Sequence, residues 1–222
     1  MSQLLSVLRK DLLIEWRAWI RIVALFSFAV MTLLLFSFAV GPNTAMLRSH
    51  AAGYLWLGTM FASSMLFSAS FQVETESNAV EQLLLAPVAP AAIFYGKALA
   101  NALQLLLLAA FMMPFLVALC DVQLTEGPAA LALALLLGVL GLAAPGALYS
   151  AMTARISSQQ VLLPLLLFPL IVPALLASVK ATSLIFTGDP MGQLSSWLQL
   201  LAAFDLVYWS LCGVLFGRVL ES

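Results

Sequence analysis

Charged residues are what this chain has least of. Asp, Glu, Lys and Arg make up 9% of its 222 residues, and 64% of the residues are hydrophobic. A soluble domain carries about 25% charge. The mean hydropathy of +1.09 therefore excludes an ordinary soluble domain and indicates a protein whose surface faces lipid. The net charge of −1 gives no reason to expect a nucleic-acid partner.

Reactive and metal-binding side chains are also scarce. With one histidine and two cysteines, the chain has no metal-ligand spacing, and we expect no metal site. It also lacks the G-x-x-x-x-G-K-[ST] phosphate loop, so any ATP must be bound by a partner. His50 is the single histidine, so the sequence shows no nucleophile and base that could converge in an active site. We therefore expect a non-catalytic membrane subunit.

Long apolar runs fill most of the chain. Six of them have about the 20 residues that a helix needs to cross a bilayer: residues 22–40, 52–70, 98–119, 129–149, 160–179 and 194–216. They lack the strict alternation of barrel strands. The sequence predicts an all-α integral membrane protein with six transmembrane helices, forming a single domain over residues 1–222.

Residues 1–21 predict a helix that lies on the membrane surface. At 100° per residue its larger apolar side chains share one face, and its polar side chains take the other. The apolar face holds Leu4, Leu5, Leu8, Leu12, Trp16 and Trp19.

The positions of the cations predict the orientation. If the N-terminus is cytoplasmic, seven of the nine Lys and Arg residues are on the cytoplasmic side, as the positive-inside rule requires. These seven are Arg9, Lys10, Arg17, Arg21, Lys97, Arg155 and Arg218. Only Arg48 and Lys180 then face outward. We expect both termini to be cytoplasmic.

The predicted cytoplasmic loop at residues 71–97 is acidic and has no cation before Lys97. Anionic lipid headgroups are therefore a poor partner for it. From Asn78 the pattern becomes a short amphipathic helix that ends at prolines. We interpret it as a coupling helix that docks on a cytosolic protein through Glu74, Glu81, Gln82, Leu83 and Pro87. The alternative is a solvated turn without a partner.

Two further residues are candidates for function. Asp205 is the one acid near the middle of a predicted span, and intramembrane ionisable residues are costly and mark pathways. It predicts either a coupling or proton-relay site or, alternatively, a carboxyl group that is protonated or pairs with a hydroxyl or backbone group. His50 fits either an axial heme ligand or, as we prefer, a solvated interface residue.

The acidic segment 71–87, FQVETESNAVEQLLLAP, resembles the first cytoplasmic loop of the CcmB family, heme exporter protein B of cytochrome c maturation. The basic N-terminus, Gly41-Pro42, the stretch 143–148 and the proline-rich fifth span match the family in order and spacing. The family usually has Gly where this chain has Asn78, a residue that tolerates a left-handed backbone better than most.

The resemblance implies an ABC-2-type permease subunit in the bacterial cytoplasmic (inner) membrane. It implies two copies of this permease with two copies of an ATPase subunit, CcmA, and with CcmC and CcmD. ATP is then bound by the partner and heme is handled by the complex, with ATP turnover linked to release of the heme-loaded chaperone CcmE from CcmC. No cofactor is assigned to this chain. The alternatives are a nonenzymatic scaffold for the maturation complex or a transporter of another substrate.

Overall fold

The computed structural model describes residues 2–76, 90–153 and 159–221. Within these ranges the chain forms seven helices and no strand, which confirms the all-α prediction. The helices are α1 Ser2–Arg17, α2 Trp19–Val40, α3 Thr44–Glu76, α4 Pro90–Cys120, α5 Pro128–Thr153, α6 Gln159–Thr187 and α7 Leu194–Glu221.

Helices α2 to α7 alternate in direction. At one end of the bundle, called the Lys97 end, the Lys97 ammonium Nζ donates to the Ser70 carbonyl oxygen at 3.1 Å, which joins the start of α4 to the later part of α3. At the opposite end, called the Asp121 end, Arg48 Nη2 lies 2.6 Å from Asp121 Oδ2. The ring centroids of Phe94 and Phe216 are 5.4 Å apart. The last part of α7 therefore also lies at the Lys97 end.

Five of the described helices are long and apolar enough to cross a membrane: α2, α4, α5, α6 and α7. By length and composition this is one helix fewer than the six apolar spans predicted from the sequence. The predicted span at 52–70 lies inside α3, which is long but carries several hydroxyl side chains. The hydroxyls of Thr59, Ser63 and Ser68 donate to carbonyls of their own helix. Because α2, α4, α5 and α6 pack around α3, this helix does not need a wholly apolar surface.

Close packing of α5 depends on small residues. A Cβ atom added at Gly138 would overlap the Trp56 ring, and one added at Gly146 would overlap the Phe67 ring. Trp56 and Phe67 belong to α3 and are almost completely buried. The glycines thus allow the large side chains of one helix to sit against the backbone of the next, as in other membrane bundles.

The N-terminal helix is separate from α2. The two meet at Ala18, whose φ of −88° and ψ of 44° interrupt the helical backbone. Val7 and Asp11 of α1 are buried, whereas Leu5 and Leu13 are more than half exposed. The helix predicted over residues 1–21 thus ends at Arg17, and its location on a membrane surface stays a prediction.

Candidate functional site at the Lys97 end

The predicted coupling residues Glu81, Gln82, Leu83 and Pro87 lie outside the described residues, and so does the side chain of Glu74. The described chain does give the elements that flank them. Helix α3 continues to Glu76, and α4 begins at Pro90. The docking role of the five residues therefore stays a prediction, and the candidate site is built from the helices that hold the segment 77–89.

Lys97 is the most deeply buried cation that the structure describes, with 2% of its surface exposed. Its Nζ lies 3.4 Å from Asp11 Oδ2 of α1 and donates to the Ser70 carbonyl oxygen of α3. An ammonium group is buried at tolerable cost only when it is paired and hydrogen-bonded. Asp11 and Ser70 supply these partners, so one side chain connects α1, α3 and α4.

The contact is extended by two neighbours of Lys97 on α4. Asn101, one turn later, is buried and its Nδ2 donates to Ser70 Oγ at 3.4 Å. Gly96 lies directly beneath α1, because a Cβ atom there would come within 2.7 Å of Val7 Cγ1. Only a residue without a side chain allows α1 to approach α4 this closely.

Aromatic side chains join the start of α4 to the last part of α7. The Tyr95 ring stacks on Trp209 with centroids 6.0 Å apart, and its hydroxyl donates to the Trp209 carbonyl oxygen at 3.3 Å. Phe94 is completely buried and lies against Phe216. The first turns of α4 are therefore held by α1, α3 and α7 together.

Asp205 lies inside the bundle, with 7% of its surface exposed. Its Oδ1 would be 3.1 Å from a Cβ atom at Gly141, and Ala174 lies beside the same position. Within the described chain neither carboxylate oxygen accepts a hydrogen bond. The Ser178 hydroxyl, one turn after Ala174 on α6, donates to the Ala174 carbonyl oxygen. One alternative from the sequence was that Asp205 pairs with a hydroxyl or backbone group. No such pairing is formed with the described residues.

His50 is exposed at the Asp121 end. Its Nδ1 lies 2.8 Å from the Met46 carbonyl oxygen and 3.0 Å from Ser49 Oγ. Its ring stacks at 6.1 Å from Tyr54. These local contacts fit the solvated interface residue, and no group of three metal-binding side chains occurs in the residues searched.

Asp189 has a structural role that sequence reasoning did not identify. Its carboxylate accepts hydrogen bonds from the backbone N–H groups of Leu194, at 2.7 Å, and Gln193, at 2.8 Å. These bonds favour the charged form of the carboxyl group, and the bond from Leu194 has the largest effect. They hold the pKa of Asp189 below its usual range. An Asp shortly before an apolar helical run was the signal for this N-terminal cap.

Comparison with known proteins gives one consistent result. The family model described as CcmB protein matches residues 2–221. Heme exporter protein B of Pseudomonas aeruginosa is 30% identical over 179 residues, which is 81% of this chain and 80% of the relative. Heme exporter protein B of Rhodobacter capsulatus is 31% identical over 77% of this chain and 78% of the relative. The Bradyrhizobium diazoefficiens protein of the same name is 27% identical over 93% and 92%.

Proposed function

Because the chain belongs to the CcmB family, as residues 71–87 indicated, we propose that it is the permease subunit of an ABC-type complex for heme export and cytochrome c maturation. In this proposal a separate ATPase subunit, CcmA, binds and hydrolyses ATP. The permease passes the resulting motion to the membrane, where it promotes release of the heme-loaded chaperone CcmE from CcmC. CcmD and a second copy of the permease complete the complex.

The observation that supports the coupling role is the packing of the two helices that flank residues 77–89. The two helices that flank it, α3 and α4, pack against each other in the bundle and are joined to α1 near the segment. A displacement of the segment therefore acts directly on helices that run to the Asp121 end. In the proposed mechanism Glu81, Gln82 and Leu83 contact the ATPase, Glu74 adds a charge contact, and Pro87 ends the docking helix.

The distribution of charge supports a cytoplasmic location for the Lys97 end. The cations described there are Arg9, Lys10, Arg21, Lys97 and Arg218. The Asp121 end carries two cations, Arg48 and Lys180, together with Asp121, Glu126 and Asp189. This asymmetry follows the positive-inside rule. We propose that the chain lies in the bacterial cytoplasmic (inner) membrane with both termini and the segment 77–89 on the cytoplasmic side.

The docking role is tested by copurification of the ATPase subunit with the permease. Glu81→Lys reverses a charge in the proposed contact and is expected to reduce the copurified ATPase at least fivefold. Glu126→Lys makes the same change at the Asp121 end and serves as the matched control, with no expected effect. If the Glu81 variant and the parent copurify the same amount of ATPase subunit, the docking role is refuted.

A second experiment separates a working permease from a passive scaffold. An ATPase variant that cannot hydrolyse ATP is expected to leave heme-loaded CcmE bound to CcmC, although the permease is still assembled in the complex. Release of the chaperone at the normal rate would favour the scaffold. That result would be compatible with the docking contact but would refute the proposed coupling.

A finer proposal concerns Asp205, whose buried carboxyl group finds no hydrogen-bond donor in the described chain. An unpaired ionised carboxylate is costly inside a protein, so this position is suited to taking up a proton during the transport cycle. Asp205→Asn keeps the shape and removes the ionisable group. We expect the substitution to abolish cytochrome c maturation with the permease still present in the membrane, and normal maturation would reject the relay.

A further inference from the structure

We propose that Asp11, Ser70 and Lys97 form a clamp that ties both flanks of the segment 77–89 to α1, so that α1, the end of α3 and the start of α4 move as one body. The proposal rests on the coupling function above. It assigns to Asp11 and Lys97 the role of positioning residues, and it makes α1 part of the moving element.

The first support is the position of the clamp along the chain. Ser70 precedes the segment by seven residues, and Lys97 follows it by eight. Lys97 Nζ contacts both the Ser70 carbonyl oxygen, at 3.1 Å, and Asp11 Oδ2, at 3.4 Å. A force on the segment therefore reaches this contact within about two helical turns on either side.

The second support is that charge and shape act together. Val7 is one turn before Asp11 on α1, and Gly96 is next to Lys97 on α4. Val7 packs against the Gly96 backbone, while Asp11 pairs with Lys97. Two adjacent contacts of different kind fix both the distance and the rotation of α1 on α4, which a single ion pair would not do.

The third support is the space on the other side of α1. A cavity of about 190 Å³ opens between α1 and the bundle, and its lining includes Leu12 of α1, Leu25 of α2, Leu66 of α3 and Leu107 of α4. Close packing is therefore incomplete beside Leu12, the residue that follows Asp11. On the side of α1 that faces α4, the clamp and the contact between Val7 and Gly96 hold α1 to the flanks of the segment.

A spin-label distance tests whether α1 and the start of α4 move together. Leu5→Cys on α1 and Ala91→Cys on α4 place labels at exposed positions, in a background where the buried Cys120 and Cys212 are replaced by Ala. In the assembled complex we expect the distance between the labels to be the same with and without a non-hydrolysable ATP analogue. A shift of its mean by more than about 3 Å on adding nucleotide would overturn the proposal.

Substitutions test whether the clamp is needed. Asp11→Asn is expected to broaden the label distance when nucleotide is added and to lower cytochrome c maturation at least tenfold. The double variant Asp11→Lys with Lys97→Asp restores an ion pair and is expected to recover maturation to within threefold of the parent. Lys10→Gln is the matched control, because Lys10 Nζ lies 3.1 Å from Asp11 Oδ1 but at a more exposed position. We expect it to change maturation less than twofold.

The amount of ATPase that copurifies distinguishes this proposal from the coupling function. Asp11→Asn is expected to retain the ATPase to within twofold, because the docking residues are unchanged. A parent permease that binds no ATPase would overturn the coupling function and the clamp with it. Normal maturation and an unchanged label distance in the Asp11 variant, with ATPase bound, would overturn the clamp alone.

Discussion

The two ends of the bundle each contain an ion pair between distant parts of the chain, and the two pairs differ in their surroundings. At the Asp121 end Arg48 and Asp121 are 2.6 Å apart, with side chains 36% and 71% exposed. At the Lys97 end the Lys97 and Asp11 atoms are 3.4 Å apart, with side chains 2% and 11% exposed. The longer contact is the more consequential one, because water screens the first pair and is excluded from the second.

The largest expected effect of a substitution is at Lys97. Lys97→Met keeps the length of the side chain but removes the cation from both the Asp11 carboxylate and the Ser70 carbonyl oxygen. Breaking a buried pair by removing one partner costs about 3–5 kcal/mol. The free energy of unfolding, measured in mixed micelles, is expected to fall by this amount. Lys180→Met, at an exposed position, is the control, and equal losses in the two variants would contradict the prediction.

Packing at the two ends is compared by adding one methyl group. Gly96→Ala brings a Cβ atom to 2.9 Å from Val7 Cβ, and overpacking of this kind costs about 1–3 kcal/mol. Gly53→Ala, near the start of α3, meets no atom within 4 Å and is expected to stabilise the helix by about 0.5–1 kcal/mol. Unfolding in mixed micelles measures both. Addition of Val7→Ala should restore the Gly96 variant, and failure to do so would show that α1 does not pack as closely as described.

The exposed ion pair is expected to matter little. Arg48→Gln removes the cation that contacts Asp121, and exposed pairs contribute about 0–1 kcal/mol. Raising the salt concentration should reduce even this difference between the variant and the parent. A loss of unfolding free energy as large as that of Lys97→Met, measured in the same micelles, would contradict the prediction that the buried ion pair contributes more than the exposed one.

The smallest effect is the pH dependence of the α7 cap. The pKa of Asp189 is lower in the folded protein than in the unfolded chain, because backbone N–H groups bond to its charged form. Its contribution to stability is therefore present above the unfolded value of about 3.9 and is lost as the pH falls through the folded value. Asp189→Asn should remove this part of the pH dependence of the melting temperature. Identical acid profiles for the variant and the parent would contradict the cap.

Much of the fold could be predicted from the sequence, and the errors have a common cause. The apolar runs were identified because hydropathy is a property of local sequence. Helix α3, which the count by length and composition leaves out, carries hydroxyl side chains, and local hydropathy does not show that four other helices pack around it. Asp205 was identified as an intramembrane acid, but only the structure places it beside Gly141 and Ala174 of two other helices, where it accepts no hydrogen bond from the described residues.

The Lys97 clamp was missed for the same reason. Lys97 was used only as a cytoplasmic cation and as the end of the acidic loop, and Asp11 was not singled out as a candidate. One signal was available, because Asp11 follows Leu4 by seven residues and so falls on the apolar face of α1. A carboxylate on such a face needs a partner. The sequence does not show that this partner lies 86 residues later, on α4.

The sequence by itself determined that the surface of this protein faces lipid and that its fold is helical. It also determined the family and the acidic character of the segment between α3 and α4. These follow from composition, periodicity and local motifs, which need no knowledge of distant contacts. Only the tertiary structure decided that α1 is joined to α3 and α4 beside that segment, and that Asp205 is buried with no hydrogen-bond donor among the described residues. Both facts depend on which helices become neighbours, because the energy of a charged group is set by what surrounds it after folding.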